Sequence, residues 1–143
     1  MADRRTVTAY LADTSVLSRA ARVPEIGRRI ADLRRSGALW TCGLVSLEVG
    51  YSARNHTEWD AMQQAQAQLH QAMVTGSVAA RALEVQGLLA QRGHHRVALP
   101  DLIIAAAAEE AGVAVLHYDR DYESIAEVTR QSAEWVVPAG SID

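Results

Sequence analysis

The sequence predicts an α/β domain in which strands alternate with helices around a parallel sheet. Three observations carry this. Short apolar runs alternate with segments of helical period along the chain. No hairpin signal joins two strand-like runs, and one run, "VAVLHY" at 113–118, is apolar on both faces, as central strands of a parallel sheet are. With 143 residues, 49% of them hydrophobic, there is enough chain for one core and too little for two.

Taken in order, residues 7–12 form a short strand-like run that ends at Asp13. "EIGRRIADLRRSG" places Ile26, Ile30 and Leu33 on one helical face and Arg28, Arg29, Arg34 and Arg35 largely on the other, with Gly37 as a stop. "ALWTC" reads as a second strand, followed by a helix from about Val45 or Ser46 through Ala53. A long polar helix, "EWDAMQQAQAQLHQAM", comes next, with Trp59, Met62, Leu69 and Met73 as its expected buried positions. Over 77–92, Val78, Ala82, Val85, Leu88 and Leu89 recur at helical spacing, and Gly93 ends the run. "GHHRVAL" is a loop. Residues 100–111 form an apolar helix that opens on Pro100 and closes at Gly112. The strand "VAVLHY", a helix over about 122–129 and a last strand, "EWVVP", complete the chain.

Composition narrows the chemistry. The net charge is −3, and all 14 basic residues are arginine. A chain without lysine cannot use a P-loop lysine, nor the lysine of receiver domains and haloacid-dehalogenase-type phosphatases. A phosphatase with an aspartyl nucleophile would also want a D-x-D start, where this chain has Asp13-Thr14-Ser15. Asp119-Arg120-Asp121 could serve as the metal motif of a sugar transferase, but such an enzyme usually needs more chain and a nucleotide-binding segment. The single cysteine, Cys42, allows neither an intrachain disulfide nor a thiolate zinc cluster, and it sits in a small apolar context that suits a buried residue. No signal-peptide pattern and no run of ~18 apolar residues is present, so a soluble, cytoplasmic protein is expected, without a membrane span.

Four acids occupy comparable places. Asp13 follows the first strand and Asp119 the central one. Glu48 falls in the first turns of the helix after the second strand, and Asp101 in the first turn of its own helix. Parallel sheets bind ligands beyond the carboxyl ends of their strands, where helix N-termini also point, so all four can converge on one rim. Two carboxylates ~4 Å apart repel by roughly 4 kcal/mol at an effective dielectric of 20. That exceeds the ~0.3–1 kcal/mol an acid gains at a helix start. A divalent cation with a preference for oxygen, Mg²⁺ or Mn²⁺, explains such a gathering, and the chemistry it favours is attack of water on a phosphodiester. Thr14 and Ser15 could cap the next helix or orient a metal-bound water, with capping the expected role. Asp121, just before the pattern Tyr122, Ile125, Val128, stands where an N-cap would. His94 and His95 lie in the loop before Asp101, and His117 is expected to be packed within its strand. Arg96 and Arg120 flank Asp101 and Asp119 and are the first candidates to contact phosphate.

The segments "LADTS", "SLEVGYSAR", "LPDLIIAAAAEEAG" and "VLHYDRDYESIA" occur in the order and spacing of the PIN domain. The chain most resembles the VapC-type toxins of bacterial toxin–antitoxin pairs, over nearly its whole length. The resemblance implies a single PIN domain over 1–143, a three-layer α/β/α fold with a central, mostly parallel sheet. It implies a metal-dependent endoribonuclease whose matching positions, Asp13, Glu48, Asp101 and Asp119, bind Mg²⁺ or Mn²⁺ and carry catalysis. It further implies an RNA substrate, a homodimer whose arginine-bearing helices flank the site, and a cognate VapB-type antitoxin whose C-terminal segment inserts a basic side chain among the acids. One departure is visible: the glycine often found a few residues beyond the motif glutamate appears here as Gly50, two residues on. The alternative reading is a non-catalytic, RNA-binding or regulatory PIN domain. A nuclease of this family should retain all four acids, and this chain does.

Overall fold

The computed structural model describes residues 8–143. The part of the expected first strand at Val7 lies outside them. In chain order the elements are β1 (Tyr10–Ala12), α1 (Thr14–Ala20), α2 (Pro24–Arg35), β2 (Leu39–Cys42), α3 (Gly43–Tyr51), α4 (His56–Ala67), β3 (His70–Ala72), α5 (Gly76–Ala90), α6 (Leu99–Ala111), β4 (Ala114–His117), α7 (Asp121–Thr129) and β5 (Ala133–Trp135).

The five strands form one sheet in the order β3-β2-β1-β4-β5, and every pairing is parallel. Side chains alternate across it. Leu11 of β1 and Val115 of β4 face a core built with α3, α5, α6 and α7, where Val45, Val85, Leu89 and Ile104 are buried. Ala12 and Leu116 face the opposite side, a smaller core with Val16 of α1 and Ile26 and Ile30 of α2. Helices therefore cover both faces, which gives the expected three layers, and β4 is buried at all four positions because neither of its faces meets water.

The parallel order puts every strand's carboxyl end on one edge. Chain direction diverges between β1 and β4: β1 leads out to β2 on one side, while β4 returns on the other. That divergence is where open α/β sheets form their clefts. The β1–β4 ladder continues one bond past β1, from the Asp13 N–H to the Leu116 carbonyl at 2.9 Å, which fixes Asp13 against the end of β4.

Two expectations need correction. A separate short helix, α1, follows Asp13 before the amphipathic helix begins at Pro24, a proline at a helical start. The expected long helix over 58–73 is instead α4, which ends at Ala67, followed by the edge strand β3. Trp59 and Met73 are exposed rather than buried, at 44% and 66%. The side chain α4 does bury is polar: Gln66 Oε1 accepts from Thr41 Oγ1 at 2.6 Å and from Ser46 Oγ at 2.9 Å. Those hydrogen bonds make a glutamine tolerable inside. Gly50 has a packing role, since a Cβ there would lie 2.7 Å from Trp59 Nε1, and its absence lets α4 close on α3.

Candidate active site

Asp13 is the N-cap of α1. Its Oδ2 accepts from the Ser15 N–H at 3.0 Å, so the capping expected of Thr14 and Ser15 is done by Asp13 itself. The two hydroxyls are used differently. Thr14 Oγ1 donates to Glu48 Oε1 at 2.8 Å, tying α1 to α3, and Ser15 Oγ accepts from the Tyr118 N–H at 2.9 Å, tying α1 to the end of β4. Asp13 is buried, and its other oxygen, Oδ1, accepts from the Tyr122 hydroxyl at 2.7 Å.

Asp101 lies in the first turn of α6, directly after Pro100, and is 7% exposed. Its Oδ1 is 3.2 Å from the same Tyr122 hydroxyl. Its Oδ2 is buried with no hydrogen-bond partner. Asp119 leaves the end of β4, with its N–H donated to His117 Nδ1 at 3.2 Å and its Oδ1 accepting from the Asp121 N–H at 2.9 Å.

That last bond overturns the expected role of Asp121. Asp121 is the first residue of α7, and its own Oδ2 accepts from the Ala98 N–H, 3.0 Å away on the approach to α6. The acid at a helix start reaches across to another segment instead of capping its own helix. As a result Asp101, Asp119 and Asp121 each bring a carboxylate oxygen within 4.8 Å of the others. Asp13 adjoins this set through Tyr122, and Glu48 adjoins Asp13 through Thr14.

The charges are poorly offset. Burial first, then the adjacent carboxyl of Asp121 and the charges of Asp13 and Asp119, push the Asp101 carboxyl up to about 8. Asp119 is raised too, chiefly by burial and by the charges of Asp121 and Asp13. The N–H of Asp121 and the charge of Arg19 oppose that rise. Burial lowers His117 to about 4, which keeps its imidazole neutral so that Nδ1 can accept the Asp119 N–H.

A cluster of this kind fits a hard divalent cation: all its donors are carboxylate oxygens, three of them lie close together, and one buried oxygen has no protein partner. The other sequence candidates lie further out. Arg120 is exposed at the start of α7, with Nη1 3.5 Å from Glu123 Oε1 and its guanidinium 6.0 Å from the Trp135 ring centre. Arg96, His94 and His95 are exposed in the loop between α5 and α6. Cys42 is buried, and burial pushes its thiol up. His117 is packed as expected, between Tyr122 and Trp135 with ring centres 5.0 and 4.9 Å away.

The PIN domain family model matches residues 10–128. The chain belongs to the PIN-domain family, on its VapC branch. It is 48% identical over 134 residues to Ribonuclease VapC51 of Mycobacterium tuberculosis, covering 94% of this chain and 97% of that protein. It is 42% identical over 136 residues to Ribonuclease VapC21 of the same species, covering 94% and 98%. The fold matches a DNA-bound VapBC from Salmonella typhimurium with a TM-score of 0.71 at 16% identity, over 92% of this chain and all of that one.

In this PIN domain, sequence reasoning missed three residues that touch or flank the acids. Tyr122 reads in sequence as one more apolar position of α7. Its signal was the phenol itself, since a buried tyrosine hydroxyl has to find a partner. Asp121 reads as a cap. Arg19 reads as an ordinary charge, yet its guanidinium lies 4.9 Å from the Tyr118 ring centre, donates to the Ser15 carbonyl at 2.7 Å, and is the basic group acting on Asp119.

Proposed function

We propose that this protein is a divalent-cation-dependent endoribonuclease and the toxin of a VapBC-type pair, working in the cytoplasm as a homodimer of single PIN domains. The observation that carries the reading is the buried, partnerless Oδ2 of Asp101 beside Asp119 and Asp121. Family membership supplies the substrate class, because the curated relatives are named ribonucleases.

In this reading Asp101, Asp119 and Asp121 would hold Mg²⁺ or Mn²⁺, with Asp13 and Glu48 completing the acidic rim as further ligand and catalytic positions. The cation would supply an activated water and a positive charge beside the scissile phosphate. The protein's own groups do the rest. Ser15 and Tyr122 fix the two oxygens of Asp13, Thr14 aims Glu48, and neutral His117 holds the Asp119 backbone. Arg96 and Arg120 would draw the RNA backbone toward an otherwise repelling site. The VapC names of the curated relatives and the VapBC complexes that share the fold support an antitoxin as partner, and in this reading its C-terminal segment would bring a basic side chain among the acids.

The test is direct. Purified protein with Mn²⁺ should cut RNA at defined positions, mapped by sequencing fragment ends, and EDTA or Asp101→Asn should stop it. Produced alone in cells, it should arrest growth, and the polypeptide encoded beside it should relieve the arrest. Intact RNA and normal growth with soluble, metal-loaded protein would favour a regulatory, non-catalytic PIN domain.

A further inference from the structure

The Tyr122 ring is 1% exposed and sits in the larger core, with the His117 ring 5.0 Å from it. Packing alone would be met by a phenylalanine, which has the same ring and no group to satisfy. The hydroxyl is instead placed between two carboxylates. It lies 2.7 Å from Asp13 Oδ1 and 3.2 Å from Asp101 Oδ1, residues 109 and 21 positions away in sequence. Among the described residues it is the one side chain that hydrogen-bonds two of the site acids. It joins the end of β1, the start of α6 and α7 at a single oxygen atom, and leaves Asp101 Oδ2 as the oxygen without a protein partner.

A phenolic O–H brings one hydrogen and a dipole, with no charge. Between two carboxylates it offsets part of their repulsion and fixes their spacing without competing as a cation would. Groups that orient metal-binding carboxylates from behind contribute strongly to affinity. We propose that Tyr122 is a positioning residue of this site: its hydroxyl holds Asp13 and Asp101 in the arrangement that accepts the divalent cation. The inference rests on the reading that these acids bind such a cation.

The experiment compares wild type, Tyr122→Phe and Tyr118→Phe, all stripped of metal. Each substitution deletes one hydroxyl, but that of Tyr118 bonds the Ile142 main chain, not the acids. Mn²⁺ binding is followed by loss of the free-ion paramagnetic resonance signal, and folding by circular dichroism in EDTA. Tyr122→Phe should be folded and bind Mn²⁺ about tenfold or more weakly. Tyr118→Phe should bind like wild type. Equal Mn²⁺ affinity in Tyr122→Phe and wild type overturns the proposal, and so does an equal loss in both variants.

A second measurement does not depend on the variant folding. In wild type carrying fluorotyrosine, the Tyr122 resonance, assigned by elimination of the other three tyrosines, should move on Mg²⁺ addition, and a resonance that stays fixed at saturation overturns the proposal. Wild type that binds Mn²⁺ tightly yet leaves RNA intact would sink the nuclease reading and leave the role of Tyr122 standing. Wild type that binds no Mn²⁺ would remove both.

Discussion

Asp101→Asn should change how the metal-free protein responds to pH, in an amount the structure sets. In the folded state the Asp101 carboxyl keeps its proton up to about pH 8, whereas in the unfolded chain it loses it near 3.8. Between those values the folded state holds one proton more at this position. Stability is therefore fully supported below the lower value and declines as pH rises, by up to about 1.4 kcal/mol per pH unit. His117 acts with the opposite sign. Its folded value of about 4 lies below the unfolded 6.5, so the unfolded chain takes up a proton that the folded state refuses, and this contribution is lost as pH falls from 6.5 toward 4. Below pH 6.5 the two slopes oppose one another. Above it Asp101 acts without that opposition, and the metal-free protein should lose about 2 kcal/mol between pH 6.5 and 8. For a domain of this size that is a fall in Tm of about 4–8 °C.

The assay is urea denaturation in EDTA at both ends of that interval, on wild type and Asp101→Asn. The variant carries no ionisable proton at this position and should lose most of the decline, so that it is the more stable of the two at pH 8. Saturating Mg²⁺ should restore wild type at pH 8 and leave the variant unmoved, because a cation takes the place of the proton. A wild-type stability that is level from pH 6.5 to 8, or a decline that persists undiminished in the variant, would show that Asp101 does not carry this proton.

Asp119→Ala and Asp121→Ala should both abolish Mn²⁺-dependent cleavage in a paired melt and cleavage assay. An Asp121→Ala protein that cuts RNA normally would return Asp121 to a structural role. Thr14→Val should release Glu48 and lower cleavage while the melt moves by about 1 kcal/mol, the usual worth of one hydrogen bond. Neutralising Arg96 and Arg120 together should weaken RNA binding and flatten its dependence on salt, read from Kd at several ionic strengths. Gly50→Ala would force Trp59 and Gln63 away from α3 and should destabilise by about 1–3 kcal/mol in urea melts, with the acids untouched.

The layered parallel fold was legible because its signals are repetitive. Apolar period marks α2, α5 and α6, two-faced burial marks β4, and the order of these segments leaves few topologies. Asp13 and Asp119 were legible for the same reason, since each directly follows a strand that pattern identifies. What was lost is local and short. β3 has three residues, of which only Ala72 is buried, and an edge strand with two exposed polar residues has no period to detect. Gln66 hides a buried position behind a polar letter, because its burial depends on Thr41 and Ser46, 25 and 20 residues away.

Asp121 shows where reading by local pattern stops. An acid at the first position of a helix lowers the energy in two ways, by bonding a backbone N–H of its own first turn or by lying near the positive end of the helix dipole, and each is worth about 1 kcal/mol or less. Both leave the same letters in the sequence. The structure separates them because the Asp121 N–H is already taken by Asp119, and the Asp121 carboxylate bonds Ala98 on the approach to α6. That contact draws the start of α7 against the start of α6 and brings Asp121 to Asp101, at the expense of a repulsion larger than either local gain. An arrangement that gives up stability locally needs a compensating interaction elsewhere: in the metal-free protein a proton on Asp101 supplies it, and in the proposed reading a divalent cation beside the partnerless Asp101 Oδ2 would take that proton's place. The pattern that misled the reading of one acid therefore also supports the proposed site: a cap has no reason to leave its own helix, whereas a ligand in the proposed site would have one.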